Sequence, residues 1–148
     1  MADRPAGMYR CGRPVDPEFD PEELLFLRCR EDHIDNGRLN PLAIRVQNQS
    51  VNRGKYSEPH WVLFPDFLTW RVASLRVGDI PEALSGPPPI CVPYTFAVEH
   101  HPLDDNYAHS EIRARKNGIY KPRLNLTHSV KLEFRSRLVE RARIIAHQ

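Results

Sequence analysis

Apolar and polar residues alternate most cleanly in two stretches, and both predict strands. From Thr69 to Val77, Ala73, Leu75 and Val77 alternate with Ser74 and Arg76. Thr95 to His101 and Ala108 to Ala114 alternate too, with Phe96 and Val98 on one face of the first, and Ala108, Ile112 and Ala114 on one face of the second. Pro102 to Asn106, between them, is turn material, so the pair reads as a β-hairpin. Strand side chains alternate between faces. Glu99, His101, His109 and Glu111 are therefore expected side by side on the face opposite the apolar one.

Other patterns predict helices. Asp20-Pro21-Glu22-Glu23 has the form of a helix start, and Leu24, Leu25 and Leu27 would follow as a short apolar helix. Ser57-Glu58-Pro59 opens a second short helix carrying Trp61, Val62 and Leu63. Thr127 to about Ala146 is the longest helix, capped by Thr127 or Asn125, with Val130, Phe134, Leu138, Ala142 and Ile145 as its core-facing stripe. Leu42 to Val46 reads as a strand, and Met8 to Cys11 as a short one. Asn36-Gly37 and Asn40-Pro41 are turns. Gln47 to Lys55 is polar and irregular, and reads as a loop. Met1 to Gly7 reads as a loose tail. The expected architecture is α+β: one domain over residues 1–148, with a small antiparallel sheet of about four strands covered by the C-terminal helix and short helices.

Composition narrows the classes. The 148 residues suffice for one domain with its own core. Fourteen prolines leave little room for long helices. A net charge of +2 gives no global field that would indicate nucleic acid. Three cysteines, Cys11, Cys29 and Cys91, form no CxxC pair and argue against a disulfide framework or a cysteine zinc site. A reducing cytoplasm is the compartment this implies. The first residues contain no apolar leader, and no run is long enough to span a membrane.

The densest chemistry lies from Glu99 to Glu111, with three of the seven histidines and four carboxylates. His101 and His109 with Glu99 or Glu111 could share a metal ion if the hairpin register allowed it. His109 with Glu111 could instead do metal-free acid–base work, the carboxylate fixing the imidazole tautomer. Asn106 is equally a turn residue and local cap. Arg28 to His33 and Arg123 to His128 have the Arg-x4-His spacing of helical RNases, a bundle that the prolines and strands argue against.

Two resemblances add to this. Arg10, Ser50 and Glu111 occur in the order in which ADP-ribosyltransferases of the arginine–serine–glutamate class use those types on successive strands. That similarity implies a dinucleotide positioned by Arg10 and Ser50, and ribose transfer assisted by Glu111. Tyr9-Arg10, Ser50-Val51 and Asn106-Tyr107-Ala108-His109 together resemble a family of small bacterial proteins with no assigned activity. That resemblance implies a bacterial cytoplasmic protein and makes Asn106 and His109 the stronger site residues. The family's look also implies a partner in a conflict or defence operon.

The expected function is a small binding or accessory protein acting with a protein partner or a second copy of itself. Its surface would be the Glu99/His101/His109/Glu111 face with the Ser50–Tyr56 loop, or a flat patch of Trp61, Phe64, Phe67 and Trp70. The alternative is an enzyme centred on His109, acting on a nucleotide or ADP-ribose type of substrate. That reading requires a concave pocket in which His109, Arg10 and Arg53 converge. No cofactor is specified by any motif.

Overall fold

The computed structural model describes residues 4–146 and is mostly sheet. Ten strands run β1 Leu24–Cys29, β2 Ile34–Asp35, β3 Arg38–Leu39, β4 Gln49–Arg53, β5 Arg71–Arg76, β6 Ala83–Ser85, β7 Pro93–His100, β8 His109–Lys116, β9 Ile119–Tyr120 and β10 Arg143–Ile145. The one α-helix among the described residues, α1, is His128–Arg141. Eight strands form one antiparallel sheet in the order β10-β5-β1-β4-β8-β7-β6, with β9 also on β8, and β2 and β3 form a separate small hairpin. The expected four-stranded sheet under several helices is therefore corrected to a large sheet with a single helix.

Besides the short strands β2, β3, β6 and β9, three strands of the large sheet escaped the sequence patterns for separate reasons. β1 carries Leu25, Leu27 and Cys29 on one face and Phe26 on the other, all buried. A central strand buried on both sides reads as a continuous apolar run, which periodicity cannot tell from a helix. Its Asp20-Pro21 start is real, but it closes only a turn: Asp20 Oδ1 accepts the Glu22 N–H at 2.7 Å, and the Asp20 carbonyl accepts the Glu23 N–H. β4 is polar, which is why it reads as a loop. β10 continues the helical pattern of α1, but the chain turns extended at Ala142 and satisfies its backbone on the edge of β5.

Leu42 to Val46 is not a strand. Asn40 Oδ1 accepts the Leu42 N–H at 2.9 Å and opens a 3-10 turn at Pro41–Ala43, after which Ile44 enters the core. Met8 to Cys11 is not a strand either. Met8 ends a 3-10 turn, and its carbonyl accepts the Tyr107 N–H. Residues 1–3 of the expected tail lie outside the described residues, whereas Arg4 pairs with Asp105 at 3.0 Å. The Ser57-Glu58-Pro59 helix is a 3-10 turn, Pro59–Leu63.

The hairpin forms between β7 and β8 with Val98 opposite Ile112 and Glu99 opposite Glu111. Phe96, Val98, Ile112 and Ala114 face α1, whose Val130, Phe134 and Leu138 cover them. Phe134 stacks on Phe96 with ring centroids 4.4 Å apart. The opposite face carries a smaller cluster, in which Phe26 and Val72 meet Val62 and Leu63 from the 59–70 segment. That segment covers only part of the face, and the uncovered part is where polar strand residues stand open.

Candidate functional site

The open part of the sheet is paved by β1, β4 and β8. Register puts Phe26 opposite Asn52 and Asn52 opposite His109, so these side chains share a face. Two residues along on the same face stand Arg28 on β1 and Ser50 on β4. Phe64, Phe67 and Trp70 rise on one side, and the 33–45 segment closes the other. The open cavity between them is about 280 Å³, just below the usual range for small-molecule sites.

His109 is held by its neighbours in one tautomer. Its Nδ1 lies 2.8 Å from the His101 carbonyl oxygen, which can only accept, so Nδ1 carries the proton. The lone pair of Nε2 then faces Ser50 Oγ at 3.4 Å. Catalytic contacts of this kind are often long without substrate and tighten when it binds. Asn52 Oδ1 accepts from Asn106 Nδ2 at 2.8 Å. Asn106 Oδ1 is buried without a partner, an acceptor whose desolvation is uncompensated.

The charge of the cavity is one-sided. Arg28, Arg30, Arg45, His33 and His109 line it, and no Asp or Glu does. Arg30 is paired with Asp32 at 2.6 Å. Among the described residues, the Arg28 and Arg45 guanidinium groups have no hydrogen-bond or ion-pair partner. Arg28 lies over the Phe67 ring at 3.8 Å. Burial and then repulsion from Arg45 push its pKa down, with Asp66 opposing. A half-buried Arg28 beside an exposed Arg45, both without an ion pair, forms a site whose electrostatics favour an anion. A larger hollow of about 560 Å³, near the end of α1, contains the carboxylates Asp79 and Glu140 and lacks this imbalance.

Of the expected site residues, the structure brings Ser50, Asn106 and His109 together and leaves the others outside. Arg53 is completely buried. It makes two 2.9 Å bonds to Glu23 and donates to the Asp16 and Glu18 carbonyls, with Phe19 stacked 3.8 Å away. It ties the extended Asp16–Glu23 segment to the sheet and cannot reach a ligand. Arg10 donates Nε to the Arg13 carbonyl, and its own N–H bonds to Asp104, away from the cavity. Glu111 stands opposite Ser50 but is held by Arg113 at 3.0 Å. Arg113 and Arg115 also hold Glu99. His101 offers its carbonyl, while its ring is exposed.

The Arg10–Ser50–Glu111 set and the four-membered His/Glu cluster are therefore not assembled. Among the described residues no three His, Cys, Asp or Glu side chains are placed to share an ion. The aromatic residues expected as a flat patch are not flat: Phe64, Phe67 and Trp70 wall the cavity, and Trp61 packs within 2.8 Å of where a Cβ on Gly7 would stand. Arg28 and Arg45 were not expected at the site, and Asn52 lay within the expected Ser50–Tyr56 surface without being singled out. The period-two link between Ser50 and Asn52 was a usable signal for Asn52. Nothing local marked the two arginines.

Fold and cavity together define a protein built on one large sheet, one face closed by a helix and the other hollowed into a cation-rich, aromatic-walled site. Comparison with known proteins gives no match, whether to family models, curated sequences or solved structures. Among the described residues no helix is long and apolar enough to cross a membrane.

Proposed function

We propose that the protein binds a small anionic ligand bearing a flat ring, of the nucleotide class, in the cavity between β1, β4, β8 and the 59–70 segment. The observation that carries this reading is the pair of unpartnered cations, Arg28 and Arg45, in a cavity without a carboxylate. Phe64, Phe67 and Trp70 suit a ring by stacking, and Asn52 and Asn106 suit its polar edge or a sugar hydroxyl. A binding protein is also what the sequence leads one to expect; here the ligand is a small anion in place of a protein surface. Calorimetric titration tests it. A nucleoside phosphate binds more tightly than the nucleoside or inorganic phosphate alone, and Arg28→Ala and Arg45→Ala each weaken it. Absence of binding by every nucleoside phosphate at millimolar concentration would overturn the proposal.

The fixed tautomer of His109 favours chemistry on that ligand as a second reading. Ser50 Oγ attacks an electrophilic carbon or phosphorus as its proton passes to His109 Nε2. The imidazolium, steadied by the His101 carbonyl, returns that proton to the leaving oxygen. An organophosphorus ester then modifies Ser50, as mass spectrometry of the peptide would show, and His109→Ala prevents labelling while nucleotide binding persists. Labelling that is indifferent to His109 would sink this reading and leave the binding one standing.

A further inference from the structure

We propose that the cavity is one end of a longer furrow that holds single-stranded nucleic acid by its phosphates, an inference that rests on the nucleotide-class reading above. Arg45 lines the cavity and also the next hollow along the surface, of about 420 Å³, together with Arg123, Lys131 and Arg135. Arg123, Leu124 and Asn125 continue from there into a third hollow, of about 460 Å³, with Lys121. None of the three is lined by an Asp or Glu. Apart from Arg30–Asp32 at the cavity, the ion pairs of the described residues lie elsewhere. They engage Arg53, Lys55, Arg71, Arg76, Arg113 and Arg137, among others, but none of Arg28, Arg45, Lys121, Arg123, Lys131 or Arg135. In a chain with a net charge of only +2, Arg28, Arg45, Lys116, Lys121, Arg123, Lys131 and Arg135 thus follow one another along this path without an ion pair, while Arg10, Arg13, Arg38, Arg141 and Arg143, also without one, lie outside it.

A row of cations without counter-charges suits a polyanion with evenly spaced charge. The aromatic end decides which one. Phe64, Phe67 and Trp70 offer faces for unpaired bases, and stacking combined with a basic track is how single strands are held without sequence readout. A duplex hides its base faces, and a run of acidic residues alone has no ring to fill the walled end.

The test uses the full chain and fluorescence anisotropy. The probes are single-stranded RNA and DNA of about 12 nucleotides, a duplex of the same length, a poly-glutamate peptide and a mononucleotide. The expected result is that a single strand binds more tightly than the mononucleotide, the duplex and the peptide. Its logarithmic salt slope is about −3, for four phosphates at roughly −0.7 each. The RNA and DNA arms tell which sugar is preferred. The double variant Arg123→Glu/Lys131→Glu, both outside the cavity, weakens the single strand and lowers the salt slope by about 1 per residue. It leaves the mononucleotide affinity and the melting temperature unchanged. A mononucleotide that binds while the strand binds no tighter overturns the furrow and spares the cavity. Binding of neither removes both. A duplex or peptide that binds as well as the strand, or a strand indifferent to the double variant, also overturns the inference.

Discussion

Arg53 lies wholly inside the protein, while Arg28, on the neighbouring strand, is half-buried beside the cavity. Burial of Arg53 is compensated by Glu23 and two carbonyls; Arg28 makes no ion pair among the described residues, and its burial is offset only in part, by Asp66. Removing one partner of a buried ion pair leaves the other charge stranded and costs about 3–5 kcal/mol. Urea denaturation of Arg53→Ala is expected to show that loss. Arg28→Ala is expected to change stability by no more than about 1 kcal/mol while weakening nucleotide binding. The cysteines divide in the same way. Cys11 and Cys91 are exposed and Cys29 is buried, and burial pushes the Cys29 thiol up to about 11. Nucleophilic thiolate is scarce there at neutral pH. A thiol-reactive dye at pH 8 is expected to titrate two cysteines quickly and the third only on unfolding.

At the scale of elements, the helix and the polar strand β4 deserve comparison. α1 docks through Val130, Phe134 and Leu138, a stripe readable directly from the spacing. Phe134→Ala removes the ring stacked on Phe96, and truncation of a buried Phe costs about 3–5 kcal/mol. A melting temperature unchanged in that variant would show that the helix contributes no packing. β4 sits at the centre of the sheet yet buries Gln49, Asn52 and Arg53. Each is satisfied individually: Gln49 Oε1 accepts the Arg45 N–H at 2.7 Å, and Asn52 Nδ2 donates to Ser57 Oγ at 3.2 Å. Hydropathy cannot reveal such a strand, because its stability comes from specific partners distant in sequence. The elements that carry Ser50 and Asn52 and those that break the local rules are the same, as expected of a functional region.

For the molecule as a whole, the N-terminal segment is bound to the sheet by groups that titrate. His100 is buried, with Nδ1 accepting the Asp16 N–H and Nε2 donating to the Tyr107 carbonyl. Burial holds its pKa below the ordinary 6.5, opposed in part by the Tyr107 carbonyl. The unfolded chain therefore takes up this proton first. Stability from His100 is complete above about pH 6.5 and falls as the pH drops through that value toward the folded pKa. Asp16 adds a loss of the same sign at lower pH. Its carboxylate is held well below the usual range, first by the Tyr56 hydroxyl and then by Lys55, so its contribution is lost as the pH falls below 3.8. Melting temperature is expected to decline from pH 7.5 to 5.5, and His100→Gln is expected to flatten that decline. An equally steep profile in the variant would show that another group titrates.

The sequence by itself determined what depends on neighbours in the chain. It placed the β7–β8 hairpin with its faces, β5, the apolar stripe of α1 and the turn at Asn36-Gly37, where both residues adopt positive φ. Each follows from a period of two or 3.6 or from the conformational freedom of a short stretch. It also singled out Ser50, Asn106 and His109, though not their common cavity. Only the tertiary structure decided that Leu24–Cys29 is a central strand, that Arg53 is a structural tie and that Glu111 belongs to Arg113. Tertiary structure alone also left Arg28 and Arg45 without a partner. Those outcomes turn on pairing and charge compensation between segments tens of residues apart, and local periodicity carries no information about which distant partner a strand or a charge will find.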